Sequence, residues 1–487
     1  MNITAALIFL PLFAGLLSFL INNKGVKYFA LGVSLAEFIL SFYAYHMSTI
    51  SADAQFVYNT PWIEALGINF YVGMDGISLL LVFLTTFLVP LIILSSFGHD
   101  YDKPNVFYAL VLIMQAALIG VFVSRDAFLF YIFWELALIP IYFICLIWGG
   151  NDKNRITFKF FIYTLVGSLI MLMGIIYLYL QTETGSFAIE DFMKLRLSGA
   201  EQTFLFWSFF MAFAIKMPIF PLHTWQPDTY TTAPTQGTML LSGIMLKMGI
   251  YGVIRWMIPI VPAAMVEWGM LAVLLSVAGI IYASVIAIMQ NDFKRLIAYV
   301  SIAHVGLIAA GIFSGTIEGL QGSMIQMISH GINVVGLFFV IDILFDRTKT
   351  YELDKLGGIR NQAPILNVVF LIILLASVAL PMTSGFVGEF LLFVGVFKYN
   401  VWVAGLAGLT IILGAVYMLN SFQKIMLGEA KAEFNGFKDV TATELAVFIP
   451  IIFFTFYIGI YPKTFLEISE PSVKALLDAA SANLSMK

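Results

Sequence analysis

The sequence predicts an all-α polytopic membrane protein with about fourteen transmembrane helices, in which two inverted five-helix repeats follow three N-terminal spans. Of the 487 residues, 61% are hydrophobic and 11% are charged, whereas soluble domains carry about 25% charged residues. Apolar stretches of roughly 20 residues, the length that crosses a bilayer, recur along the whole chain. Lys and Arg accumulate in every second connection, as the positive-inside rule requires.

The predicted spans follow one another so closely that no soluble domain fits between them. They are 3–21, 27–46, 77–98, 106–124, 126–148, 157–180, 203–220, 234–256, 265–289, 295–313, 318–345, 365–397, 401–424 and 443–461. The first three, with an extracytoplasmic loop at 48–76, form the region 1–105. Spans four to eight form a first repeat at 106–256, nine to thirteen form a second at 265–428, and 429–487 holds the last span and a C-terminal tail. Each repeat has an odd number of helices, so the second inserts upside down.

The distribution of basic residues predicts the orientation. Connections after odd-numbered spans hold fifteen of the 25 Lys and Arg, and connections after even-numbered spans, with the tail, hold eight. Odd-numbered connections are therefore expected in the cytoplasm and both termini on the extracytoplasmic side of an inner membrane. The remaining two, Lys216 and Lys247, lie within predicted spans.

The fourth helix of each repeat is interrupted. The first interruption is KMPIFPLHTW in span seven and the second is ALPMTSGFVGEF in span twelve. Proline removes a backbone donor, and in lipid the freed carbonyls must face protein or a wet cavity. Paired interruptions in two repeats indicate a transport pathway. Two unrelated proline kinks are the alternative.

Ionisable residues lie at similar depth in these spans. In helix order they are Glu135, Lys216, His223, Lys247, His304, His330 and Glu389. Each costs roughly 2.5–3.5 kcal/mol in the bilayer centre, so a function is the default interpretation. The series predicts a row of proton-exchanging groups along the membrane plane. Glu37 and Asp342 are expected to make local contacts or to lie at an interface, and not to belong to this row.

Glu135 and Lys216 are the predicted partners at the start of the row. A nearby carboxylate favours the charged lysine and desolvation favours the neutral amine, so movement of charge or water can load and release a proton. Histidines suit the intermediate positions. A structural Glu–Lys pair, or histidines that only hydrogen-bond neighbouring helices, are the alternatives.

The sequence also excludes several classes of site. Cys145 is the single cysteine, which excludes disulfides and Cys-type zinc or iron–sulfur sites within the chain. No phosphate-binding or dinucleotide-binding glycine motif is present, so no redox centre is expected on this chain. The net charge of −4 argues against a nucleic-acid partner.

Motifs along nearly the whole chain resemble the antiporter-like subunits of respiratory complex I, a family shared with Mrp-type antiporters and membrane-bound hydrogenases. They are VGMDGISLLLVFLTTFL, FWELALIPIYF, FKFFIYTLVGSLIMLMG, KMPIFPLHTWQPD, DFKRLIAYVSIAHVG, MISHGI and LASVALPMTSGFVGEFL. Glu389, where other branches typically have lysine, and the short segment after span fourteen resemble the M-type branch. The chain departs from the family at QPDTYTTAPT, where Tyr230 and Thr232 replace an extra histidine and an acidic or amide residue.

The resemblance implies a proton-translocating subunit of NADH:quinone oxidoreductase. It assigns the switching pair to Glu135 and Lys216, the central relay to Lys247, its continuation to His304 and His330, and proton release to Glu389. NADH, FMN, iron–sulfur clusters and quinone are then expected in partner subunits, with L-type and N-type subunits as neighbours in the bilayer. The segment before span three resembles the family's extracytoplasmic hairpin region.

Three other functions remain open from the sequence. An Mrp-type sodium/proton antiporter subunit shares the fold, and Glu389 argues against it. A membrane subunit of a membrane-bound hydrogenase is the second. A purely structural spacer is the third, although it has no need for buried charges.

Overall fold

The computed structural model describes residues 2–183, 185–429, 431, 434 and 436–485. Residues 1 and 486–487, at the ends of the predicted terminal regions, lie outside the described residues. Eleven helices of the described part are long and apolar enough to cross a membrane, and two shorter apolar helices accompany them. The prediction of a predominantly helical, multi-pass membrane protein is confirmed.

The N-terminal region contains three helices and one β-hairpin. The elements are α1 (Ile3–Ser18), α2 (Val26–Met47), β1 (Gln55–Ile63), β2 (Ile68–Met74) and α3 (Gly76–Ser95). The strands pair antiparallel around Gly67, whose φ of 67° suits glycine. The 48–76 loop is thus an exception to the all-α prediction and fits the hairpin that the family resemblance implies. Asp75 caps α3 by accepting hydrogen bonds from the backbone of Ile77 and Ser78.

The region of the first predicted repeat contains an interrupted helix and two π-helical segments. Its helices are α4 (Pro104–Val123), α5 (Ala127–Trp148), α6 (Lys153–Gln181), α7 (Ile189–Met193), α8 (Gly199–Lys216), α9 (Gln226–Thr232), α10 (Thr235–Leu240) and α11 (Lys247–Gly252). Helix α8 ends at Lys216 and α9 begins at Gln226, so the predicted interruption is present. The π-helical segments, Leu241–Met245 and Val253–Met257, flank α11.

The second region repeats the interruption. Its helices are α12 (Pro262–Met289), α13 (Phe293–Phe313), α14 (Ile317–Thr348), α15 (Pro364–Ser377), α16 (Ser384–Tyr399), α17 (Val401–Ala407) and α18 (Leu409–Phe422). Helix α18 continues as a π-helical segment at Gln423–Leu427. The break lies at 378–383, shorter than the predicted motif, because Ser384 starts a helix that already includes Glu389.

Helices α19 (Ala442–Ile460) and α20 (Lys463–Ser485) end the described chain. Helix α19 is the predicted last span. Helix α20, for which the sequence analysis predicted only a tail, lies across the ends of other helices. Its Ser472 hydroxyl accepts a hydrogen bond from Gly76 N (3.2 Å), and its Ser469 hydroxyl donates one to Gln321 (3.0 Å).

Connections contact one another at two opposite ends of the bundle. At one end, Trp148 Nε1 donates to Asp102 O (2.8 Å) and Lys294 Nζ to Ala233 O (2.6 Å). We call this end the basic side, because it carries the connections predicted to be cytoplasmic. The end with the β-hairpin and α20 is the hairpin side.

The centre of the bundle is formed by α13, α14 and the segment 235–257, which are almost wholly buried. Helices α2 and α19, by contrast, expose most of their surface. Polar residues on the central helices are therefore shielded from lipid by protein, as a polar site within a membrane requires.

Candidate functional site

Lys216 lies where the first broken helix ends. Its side chain is 2% exposed, and its Nζ has no hydrogen-bond partner within the described part of the chain. The ammonium nitrogen lies 5.4 Å from the centre of the Trp134 ring, a cation–π distance. Its place in the last turn of α8 also sets it at the negative end of the helix dipole. The break thus creates an environment that tolerates a cation without fixing it.

Glu135 follows Trp134 on α5 and is half-buried. Its carboxylate interacts electrostatically with Lys216 and faces the Ser168 hydroxyl. Neither residue appears in a direct ion pair among the described residues, and Glu135 Oε1 has no hydrogen-bond partner there. The two predicted partners are therefore coupled through space and not by a direct ion pair.

Lys247 and His330 are in direct contact at the centre of the bundle. Lys247 Nζ lies 2.9 Å from His330 Nδ1 and donates to Ser242 O at 2.7 Å. The π-helical segment before α11 places the Ser242 carbonyl under the lysine, five residues along the chain. His330 Nε2 lies 3.0 Å from the Ser301 hydroxyl. A charged Lys247 donates to Nδ1, which makes Nε2 the protonated nitrogen and the donor to Ser301.

His304 and Glu389 continue from His330. The His304 and His330 rings are edge to face with centroids 5.8 Å apart. His304 Nε2 lies 3.9 Å from Glu389 Oε1, too far for a hydrogen bond but close enough for a small rearrangement to join them. The Gln326 amide also approaches Glu389 Oε1, at 3.5 Å.

A small cavity separates the two histidines on one side. It is lined by residues that include Ser301, His304, Gln326, His330 and Asn333, and the volume open to the centre of a water molecule is about 10 Å³. That volume corresponds to about one water, and the lining supplies several polar partners. The cavity can therefore hold one water beside the two histidines.

His223 does not join this group. It is buried, its ring stacks on Phe220 with centroids 5.6 Å apart, and it meets Tyr282 edge to face at 5.1 Å. The turn after Lys216 carries it toward the basic side, where Lys159 and Asp228 pair at 3.0 Å. Of the predicted residues, the structure brings together Lys247, His330, His304 and Glu389 by contact, and Glu135 and Lys216 by electrostatics.

Several residues at the centre were not found from the sequence. Ser301 and Gln326 touch the row but carry no charge, so nothing in composition distinguishes them from ordinary polar residues in a membrane helix. Arg255 lies at the end of the predicted span 234–256 and was counted among the eight basic residues of the even-numbered connections, but it is 5% exposed. One guanidinium nitrogen of Arg255, Nη2, donates to both carboxylate oxygens of Asp75, at 2.7 and 2.6 Å. Within the described residues, no group of three or more His, Cys, Asp or Glu side chains is placed to hold a metal ion.

The chain matches two family models. Residues 124–414 match the transmembrane model of the NADH:quinone oxidoreductase/Mrp antiporter family, and residues 6–121 match the amino terminus of NADH-ubiquinone oxidoreductase chain 4. NADH-quinone oxidoreductase subunit M of Rickettsia prowazekii is 40% identical over 480 residues, which cover 96% of this chain and 97% of the relative. The chain belongs to the M-subunit family of NADH-quinone oxidoreductases. The family resemblance seen in the motifs is thereby confirmed.

Solved structures agree with membership in the M-subunit family. A chain of respiratory complex I from Thermus thermophilus, solved with bound NADH, superposes with a TM-score of 0.91 at 30% identity, covering 98% of this chain and 99% of that one. A chain of the Mrp complex from Dietzia sp. superposes with a TM-score of 0.85 at 18% identity, covering 99% of this chain and 52% of that one. The second likeness shows the shared fold alone.

Proposed function

We propose that this chain is the M-type, proton-translocating membrane subunit of an NADH:quinone oxidoreductase in an inner membrane, adjacent to L-type and N-type subunits. The redox groups of such a complex belong to partner subunits, and this chain moves protons through Glu135, Lys216, Lys247, His330, His304 and Glu389. The observation that carries the proposal is the 2.9 Å contact between Lys247 Nζ and His330 Nδ1, buried at the centre of the bundle. His223 is proposed as a flanking group on the basic side.

The helix order supports fourteen spans in two inverted repeats. Besides the eleven long apolar helices, α1 and α15 are apolar but short, and α8 has the length of a span. If α15 and α16 form one broken span and α8 and α9 another, the order matches the predicted fourteen. The domain limits 106–256 and 265–428 then enclose one broken helix each. Both termini of this arrangement lie on the hairpin side, which we propose is extracytoplasmic.

The chemistry follows from the contact at the centre. A proton on Lys247 passes to His330 Nδ1 along the hydrogen bond, and the Nε2 proton of the ring leaves toward Ser301 or the neighbouring cavity. His304 then receives it and delivers it to Glu389, 3.9 Å away. A change of charge at Glu135 alters the proton affinity of Lys216, and each occupied site changes the next by Coulomb interaction in a low dielectric. Coupling to electron transfer thus travels as a sequence of charge changes.

Glu135→Gln tests the start of the row. The amide keeps the size of the side chain and removes the charge that acts on Lys216, so the lysine can no longer be switched. We expect NADH-driven proton uptake by inverted membrane vesicles and quinone reductase turnover to fall together, by about 100-fold, which is within the usual contribution of a proton-transfer group. Assembly of the complex, followed by native electrophoresis, should be unchanged.

Glu267→Gln is the matched control for that experiment. Glu267 lies on α12, where its carboxylate accepts a hydrogen bond from Thr203 at an exposed position, and it is outside the row. The control should pump as the unaltered complex does. Normal pumping by Glu135→Gln, with normal assembly, would remove the pair from the mechanism. Sodium-dependent exchange without a response to NADH would favour the antiporter alternative.

A further inference from the structure

Two cavities open to the basic side of the molecule and share a wall. One has a volume of about 630 Å³ and reaches the exposed residues Gly98 and Thr443, and the other, of about 530 Å³, reaches Gly150 and Asn151. His99 and Asp342 line both cavities. They belong to elements far apart in sequence, the segment after α3 and the last turns of α14. Solvent therefore reaches this pair from two directions.

The shared wall is a hydrogen-bonded chain of side chains. His99 Nε2 lies 2.7 Å from Asp342 Oδ2, and Gln236 Nε2 donates to the same oxygen at 3.0 Å. The Tyr101 hydroxyl donates to Gln236 Oε1 at 2.5 Å. The Asp342 side chain is 8% exposed and the His99 side chain 31% exposed. This set of hydrogen-bonded side chains is therefore accessible to solvent at His99 and buried at Gln236.

Gln236 and Lys247 belong to the same buried helical stretch, 235–257. Thr238 and Ser242 follow on the same stretch of helix, both fully buried, and the Ser242 hydroxyl donates to Thr238 O at 2.7 Å. Ser242 O in turn accepts the hydrogen bond from Lys247 Nζ at 2.7 Å. The π-helical segment at Leu241–Met245 lies between Gln236 and Lys247. At 1.5 Å per residue, Gln236 and Lys247 are about 16 Å apart along the axis.

We propose that His99 and Asp342 are the proton-loading site of this chain, and that they supply Lys247 from the basic side along the buried helical stretch that carries Gln236, Thr238 and Ser242. This inference rests on the proposed relay through Lys247 and adds the group that collects the proton for it. The source of the proton is the aqueous phase in the two cavities. No residue of the site lies in the row of groups described above.

The transfer balances without another reactant. A water-borne proton forms an N–H bond at His99 Nδ1, the Nε2–H bond breaks, and an O–H bond forms on Asp342 Oδ2. The ring is left neutral with the proton on Nδ1, and the Asp342 proton leaves through water toward the stretch that carries Lys247. Gln236 holds the carboxyl in place by donating to Oδ2. The site resets when solvent in the cavities takes the Nδ1 proton and another proton from solvent binds Nε2, which restores the starting tautomer.

Electrostatics favour a protonated His99. The hydrogen bond that His99 donates to Asp342 raises the pKa of His99 above its ordinary value, and burial acts in the opposite direction. Asp346 also raises this pKa and Lys349 lowers it, while the Tyr101 ring packs 5.9 Å from the imidazole. Because the folded pKa is raised, the stabilising contact is fully present below about pH 6.5 and is lost as the pH rises through the raised pKa. His99 therefore still collects protons at a pH at which a free histidine has lost them.

His99→Gln tests the proposal, because glutamine can still donate a hydrogen bond to Asp342 but cannot carry a proton. In inverted vesicles containing the whole complex, we expect NADH-driven proton uptake to fall by about tenfold, at the low end of what a positioned proton-transfer group contributes. The loss of proton uptake should grow as the pH rises past about 6.5, the pKa of an ordinary histidine, because His99 with its raised pKa still binds protons there. His46→Gln, at an exposed site on the last turn of α2, is the matched control and should change nothing.

His99→Gly with added imidazole separates proton loading from a structural role. The cavities are large enough for imidazole, which can replace the missing ring as proton carrier, so uptake should recover in the presence of imidazole and not of an inert solute. Unchanged pumping by His99→Gln across the pH range, or no recovery of His99→Gly by imidazole, would overturn the proposal. If Lys247→Met also pumps normally, the relay itself is wrong; if only the His99 variants do, the relay stands and this loading site falls.

Discussion

Replacing Lys247 with methionine is expected to abolish proton pumping while leaving the complex assembled. Methionine fills a similar volume but carries no proton, so the transfer to His330 Nδ1 across 2.9 Å is lost. Both partners of the Lys247 ammonium, Ser242 O and His330 Nδ1, are neutral groups. The variant therefore leaves unsatisfied hydrogen-bonding atoms, at a cost of about 1–3 kcal/mol, and no unpaired buried charge. We expect NADH-driven proton uptake to fall by at least about 100-fold.

Lys247→Arg makes the same experiment decisive. Arginine keeps the positive charge and can donate to His330, but it does not release its proton in a protein. It should therefore pump as poorly as Lys247→Met. Lys355→Met, which removes an exposed lysine paired with Glu352, is the control for loss of a cation and should leave pumping unchanged. Pumping by the arginine variant at the level of the unaltered complex would show that Lys247 acts as a fixed charge.

The members of the polar row could be predicted from the sequence, and their contacts could not. A lysine or glutamate within an apolar span is recognisable at once because its cost in lipid is high. The Lys247–His330 contact joins residues 83 positions apart, and only tertiary packing determines which helices are neighbours. His223 lies away from the row for the same reason, because tertiary packing and not sequence order determines its neighbours. Proximity to the break in sequence suggested a place beside Lys216, but the turn after α8 directs the ring to Phe220 and Tyr282.

Some secondary-structure elements could likewise be predicted from the sequence, and others could not. Long apolar stretches and proline interruptions have strong signals, so α8 ending at Lys216 was foreseen. Helix α20 was missed because it is amphipathic and contains Pro471, so its sequence lacks the apolar length of a span. Arg255 was assigned to a connection because it lies near a predicted span end, where basic residues normally reach water. Its partner, Asp75, is 180 residues away.

The buried pair of Arg255 and Asp75 is expected to matter for stability more than any surface ion pair. Arg255 donates to both carboxylate oxygens of Asp75, and Tyr251 accepts a further hydrogen bond from Arg255 at 3.2 Å. Both side chains of the pair are nearly fully buried, at 6% and 3% exposure. Asp75 in addition caps α3. Removal of either partner alone leaves the other as an uncompensated charge.

Arg255→Met should destabilise the chain by about 3–5 kcal/mol, the range for breaking a buried ion pair on one side. The temperature at which the purified complex loses this subunit measures the effect. Asp75→Asn in the same chain should recover most of the loss, because asparagine still caps α3 and no charge remains unpaired. Lys463→Met, which breaks an exposed pair with Glu467, should cost at most about 1 kcal/mol. Additive losses in the double variant would mean that the two residues stabilise the chain independently, whereas strong recovery identifies the pair as one unit that fixes α3 against the helix carrying Lys247.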